Sequence, residues 1–110
     1  MSVSEVVGRL SDFSDGKPHR VTVDDLDVCL VFVEETLHAI DDVCTHAEVS
    51  LSEGEVLNCS IECWMHGAIF DLKTGAPLGP PATTAVQVHQ VTLSADADPE
   101  VTITLNEARN

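Results

Sequence analysis

Two short stretches of the sequence pair a cysteine with a histidine. Cys44-Thr45-His46 is followed, after sixteen residues, by Cys63-Trp64-Met65-His66, a C-x-H-x16-C-x-x-H spacing. Thiolates and imidazoles are the ligands of zinc and of iron-sulfur centres, so both chemistries are open. A zinc finger groups its ligands as a cysteine pair followed by a histidine pair on a helix, an order this sequence lacks. Zinc held tetrahedrally by two thiolates and two imidazoles remains an alternative. A [2Fe-2S] centre whose two irons take two thiolates and two imidazoles accounts for mixed pairs, because it needs one Cys and one His from each of two loops.

Two loops must be held side by side, and the rest of the chain reads as the scaffold for that. At 110 residues the length allows one domain over residues 1–110 with one small core. Hydrophobic residues make up 44%, with three Phe, one Trp and no Tyr, which favours an interior of Val, Leu and Ile and hence sheet. Alternation of apolar and polar residues predicts strands over Val86 to Leu93 and Val101 to Leu105, joined by a hairpin loop over Ser94 to Glu100. Earlier strand candidates are Val21 to Val23, Val28 to Val33, Thr36 to Ile40, Val56 to Cys59 and Ala68 to Leu72. Turn signals at Ser14 to Pro18, Glu53-Gly54, Lys73 to Gly75 and Gly79 to Pro81 separate them, and no long amphipathic helix is present. The pattern predicts an all-β antiparallel sandwich or small barrel, with each Cys/His pair just after a strand.

Nineteen acidic residues against five basic ones give a net charge of −14, which argues against nucleic acid, since phosphate backbones are held by Lys and Arg. The same field attracts proteins with basic faces. Asp41, Asp42, Glu48 and Glu53 flank the first pair and are candidates for such docking. The longest strongly apolar run, Val28 to Val33, is far below the roughly 20 residues that span a bilayer. The first residues lack a secretory signal pattern, so a cytoplasmic protein is expected. In a reducing compartment the four cysteines are metal ligands or buried thiols and not disulfides. Cys29, inside the apolar run, and Cys59 are expected to be packing thiols, and His19, His38 and His89 ordinary side chains. Trp64 either shields the site, meets a partner or packs the loop. No nucleophile constellation, phosphate-cradling loop, flavin fingerprint or mononuclear iron motif is visible, so the chain is expected to be no enzyme.

The stretch from Ala39-Ile40-Asp41-Asp42 through Leu51-Ser52-Glu53-Gly54 to His66-Gly67-Ala68-Ile69-Phe70-Asp71 and Thr74-Gly75 resembles the cluster-binding motif of Rieske proteins. The likeness covers essentially the whole chain and is strongest to the small ferredoxins of bacterial ring-hydroxylating dioxygenase systems. It implies a Rieske-type β-sandwich with a two-loop subdomain, cluster loops at 44–49 and 63–68, and a proline loop at 79–82 over the cluster. It also implies one [2Fe-2S] cluster, with Cys44 and Cys63 on the inner iron and His46 and His66 on the outer. The implied role is a monomeric, cytoplasmic carrier of single electrons from a flavin-containing reductase to a terminal oxygenase. A small subunit of a nitrite reductase type complex, an iron-sulfur sensor or a cluster-assembly accessory are the competing roles.

High-potential members of the family carry a disulfide between the loops where this chain has Val49 and Met65. They also carry a serine and a tyrosine that donate hydrogen bonds to cluster sulfurs, where this chain has Ala68 and Phe70. Donors to sulfur stabilise the reduced state most, so their absence implies a potential near about −150 mV and not about +300 mV.

Overall fold

The computed structural model describes residues 3–45, 49–65, 67–80 and 83–106. Among these, the structure is nearly all β. The strands are β1 Ser4–Arg9, β2 Pro18–Val23, β3 Leu26–Val33, β4 Thr36–Asp41, β5 Glu55–Leu57, β6 Ser60–Glu62, β7 Ile69–Asp71, β8 Val88–Leu93 and β9 Glu100–Thr104. Every strand pair is antiparallel. Six strands form one sheet in the order β1-β9-β8-β4-β3-β2, and β5-β6-β7 form a second, small one. The outer strands of the large sheet approach each other, since the Asp24 backbone N–H donates to the Glu5 carboxylate at 2.7 Å. The sheet therefore curls toward a barrel.

β3 is buried at four successive positions, Val28 to Val31, because the curled sheet covers one of its faces and the small sheet covers the other. Its even and odd residues accordingly feed two cores. Val28 and Leu30 point into the barrel interior with Val23, Ala39, Val101 and Ile103. Cys29 and Val31 point the other way, to Ile40, Leu51, Ile61, Phe70 and Leu72, and this second core contains Cys44 and Cys63.

β1 was not among the expected strands. All six of its residues are exposed or half-exposed, Val6 is 57% exposed, and a register shift between Val6 and Gly8 breaks the alternation, so the hydrophobic signal is weak. β8 starts two residues later than expected, and β5 ends at Leu57, leaving Cys59 in the turn before β6. Two hairpins turn on residues with no Gly, Pro or Asn. Asp24-Asp25 and Glu34-Glu35 all take positive φ, between 50° and 66°, the type I′ geometry that matches strand twist. That conformation costs L-residues roughly 1 to 2 kcal/mol each.

The chain leaves β4 into the first cysteine loop through Asp42, which is fully buried. Its Oδ1 accepts from the Ser52 backbone N–H at 2.8 Å, its Oδ2 accepts from the Ser50 hydroxyl, and its backbone carbonyl accepts from Leu51 at 2.6 Å. One side chain thus ties both stems of the loop. Asp42→Ala removes the acceptor of the Ser50 hydroxyl and of the Ser52 N–H, both part-buried, at about 2 to 4 kcal/mol from a total stability of about 5 to 15. The expected result is a lower urea midpoint together with faster loss of visible absorbance on dilution into denaturant, Asp42→Asn losing less than Asp42→Ala.

Candidate metal centre

The two cysteine loops are closed in the same way. The Cys44 N–H donates to the Val49 carbonyl at 2.9 Å, and the Cys63 N–H donates to the Ala68 carbonyl at 2.6 Å, five residues on in each case. Antiparallel strands splay into each loop. Val43 bridges Ser50 at the stem of the first, while β6 and β7, paired from Ser60-Asp71 to Glu62-Ile69, make the stem of the second. Each loop begins with its cysteine and encloses one histidine. His46 and His66 themselves lie outside the described residues, as do Ala47, Glu48, Pro81 and Ala82.

Both cysteines are wholly buried, and their thiols are close enough to interact. Burial pushes the Cys63 thiol up, and the neighbouring Cys44 thiol and Glu62 push the same way; the Met65 backbone N–H, aimed at the sulfur, opposes them. Without metal the Cys63 thiol is held toward its protonated form, and a cation displaces that proton on binding. The donor set fits the buried pole of a mixed-ligand cluster: two soft sulfurs, both without solvent exposure, in one core cluster with Leu51, Ala68, Phe70 and Val86. When bound, such a cluster supplies one-electron redox chemistry.

The third loop is fastened to the first two. Thr45 Oγ1 donates to the Thr84 carbonyl at 2.6 Å, and the Leu78 N–H donates to Ile69 at 2.8 Å. Gly75 allows the chain to double back, with φ at +77° and the Val86 carbonyl only 2.1 Å from where a Cβ would stand. Gly54 plays the same part between the loops, where a Cβ would sit 1.9 Å from the Glu62 carbonyl. Around this end Trp64, Val43 and Leu78 are 52%, 48% and 57% exposed, so Trp64 does not pack into the loop.

The acidic residues flanking the first loop divide by environment. Asp42 is internal, and Asp41 bonds His89 Nε2 at 2.7 Å, so neither offers a free carboxylate to a docking partner. Glu53 is exposed, and Glu48 lies outside the described residues. His89 is a structural residue that sequence reasoning passed over. Its Nδ1 accepts from the Asn106 N–H at 2.9 Å, which leaves the ring proton on Nε2 to be donated to Asp41. The strand leaving the third loop is thereby fixed to the strand entering the first. Cys59 is half-buried with Sγ 3.6 Å from His38 Nε2, and Cys29 is an internal packing thiol.

The Rieske [2Fe-2S] domain family matches residues 4–90, and the chain belongs to that family. It is 35% identical over 82 residues to the ferredoxin component of the naphthalene 1,2-dioxygenase system of Pseudomonas putida, covering 74% of this chain and 79% of that one. The solved ferredoxin of carbazole 1,9a-dioxygenase from Nocardioides aromaticivorans IC177 superposes with a TM-score of 0.88 at 28% identity, over 94% of this chain and 99% of the other. A second ferredoxin, solved in complex with the reduced oxygenase of carbazole 1,9a-dioxygenase, gives 0.82 at 33% identity over 90% and 99%. The protein is an electron carrier with one Rieske-type [2Fe-2S] cluster, not itself a catalyst. Among the described residues no helix is long and apolar enough to cross a membrane.

Proposed function

We propose that the chain is a single Rieske domain over residues 1–110 that carries single electrons from a flavin-containing reductase to a terminal oxygenase. Cys44 and Cys63 hold the inner iron, and His46 and His66 hold the outer iron at the tip, with cluster loops at 44–49 and 63–68 and the proline loop at 79–82. The observation that carries this reading is the matched closure of two loops around adjacent, fully buried thiols. A relative named as a dioxygenase ferredoxin component and another solved in complex with an oxygenase support the choice of acceptor.

The exposed Trp64, Val43 and Leu78 give the tip an apolar contact surface, and the charge of −14 draws in basic docking faces. Buried thiolates at the inner pole keep water from the sulfurs, while outer imidazoles shorten the path to an acceptor. The carrier works as a monomer in the cytoplasm. Sustained reductase-dependent reduction of a Rieske oxygenase, many electrons per chain and slowing as salt rises, is the expected result. A single reduction without turnover would instead mark a sensor or a fixed subunit.

A further inference from the structure

At the end of the molecule away from the cysteine loops, the large sheet is split. β4 and β8 pair only at Ala39 with His89 and Ile40 with Val88, although both strands continue. Past that point, among the described residues, Thr36 to His38 pair only with β3, and Gln90 to Leu93 only with β9. Antiparallel strands alternate the direction of their peptide groups. The two-residue turn after Val33 makes Thr36 and His38 face β3, so the Leu37 peptide groups face the split. The Ser94 N–H donates to Glu100, so Val91 and Leu93 face away from β9, into the same split from the other side.

A cavity of about 350 Å³ lies against both of these strand ends, lined by Leu10, Phe32, Glu35, Thr36, Leu37, Val91 and Leu93. Leu93 is 46% exposed, and among the described residues no Lys or Arg lines the cavity. The seam combines two strand edges that lack ladder partners among the described residues, an apolar floor and one acidic side chain, Glu35, on a chain of charge −14.

We propose that this seam binds an extended segment of a partner protein, which adds as a short strand and alternates apolar residues, placed on the floor, with Lys or Arg at the Glu35 rim. Main-chain bonds to the free edges would supply affinity, and the floor and rim the selectivity. A second copy of the chain is disfavoured by repulsion between two surfaces of charge −14. The seam is separate from the electron-transfer tip: Thr36 to Asp41 alone spans about 16 Å at 3.3 Å per residue. A partner could therefore hold the carrier here while the tip stays free.

The probe is an acetylated, amidated six-residue peptide alternating lysine with leucine, titrated into the oxidised holoprotein and followed by amide NMR and hydrogen exchange. The control peptide has the same composition with its lysines grouped at one end. The expected result is saturable shifts and slowed exchange at the Leu37, Val91 and Leu93 amides with the alternating peptide only. Glu35→Lys should weaken binding about fivefold, less as salt rises. Leu93→Ala, an exposed truncation harmless to folding, should weaken it independently. Equal binding of the grouped peptide, shifts confined to the Trp64 end, no shifts at millimolar peptide, or self-association through these amides without peptide would each overturn the proposal.

Discussion

Cys63→Ala and Cys44→Ala should each yield protein without iron, acid-labile sulfide or visible charge-transfer absorbance, whereas Cys59→Ala and Cys29→Ala should keep the full complement. The distinction follows from placement. Cys44 and Cys63 open matched loops and bring their thiols together at zero exposure. On the proposed assignment, removing either leaves the inner iron one sulfur short at a buried position. Cys59 and Cys63 stand at opposite ends of β6, Ser60–Glu62, so they are about 13 Å apart along an extended strand. No single iron bridges that span. Burial, with Asp42 adding to it, pushes the Cys29 thiol far up, so it stays protonated and packs as an apolar side chain. Iron and sulfide analysis per chain, with the absorption spectrum, checks all four variants. A Cys59→Ala protein that loses its cluster while Cys63→Ala retains it would reverse the assignment.

The second large effect concerns the potential. Ala68→Ser should raise the midpoint by about 40 to 90 mV with the cluster intact. Ala68 is fully buried, and its carbonyl closes the Cys63 loop, so a hydroxyl placed there is confined next to the cluster sulfurs. A hydrogen bond to a charged acceptor is worth about 1.5 to 3 kcal/mol, of which about 1 to 2 is gained only as the sulfurs take up negative charge on reduction. For one electron, 59 mV corresponds to a tenfold change in the equilibrium constant. Phe70→Tyr acts in the same direction, although at zero exposure its hydroxyl must find a sulfur or remain unsatisfied. The present side chains leave the Met65 backbone N–H as a described donor to a ligand sulfur, consistent with a midpoint near the low end of the Rieske range. An unchanged or lower midpoint in Ala68→Ser would sever the link between side-chain donors and potential.

The parts of the fold most open to sequence reading were those with a strong period or a strong chemical pattern. The alternation in Val101 to Ile103 marks a strand that buries one face, the fully apolar Val28 to Val33 marks one covered on both sides, and in β8 the apolar residues change face between Val88 and Val91. The cysteine and histidine spacing showed where two loops must converge, and the adjacent Cys44 and Cys63 thiols agree. What escaped was set by tertiary context. Glu34-Glu35 turns a hairpin with none of the residues that favour positive φ, because the strands on either side determine where the chain reverses. Asp42 reads as one more surface acid until its two stems are seen closing over it. His89 alternates with apolar neighbours like an outward strand residue, but it faces inward because Asp41 and the Asn106 N–H satisfy both its nitrogens.

The most direct measurement is a potentiometric titration of the anaerobically purified protein, with electron paramagnetic resonance of the reduced state resolved for nitrogen couplings. The account predicts one unpaired electron per two irons, a one-electron transition in the lower part of the Rieske range, and coupling to two histidine nitrogens that selective labelling identifies. A reduced signal free of nitrogen coupling, or a protein holding zinc in place of iron, would contradict it.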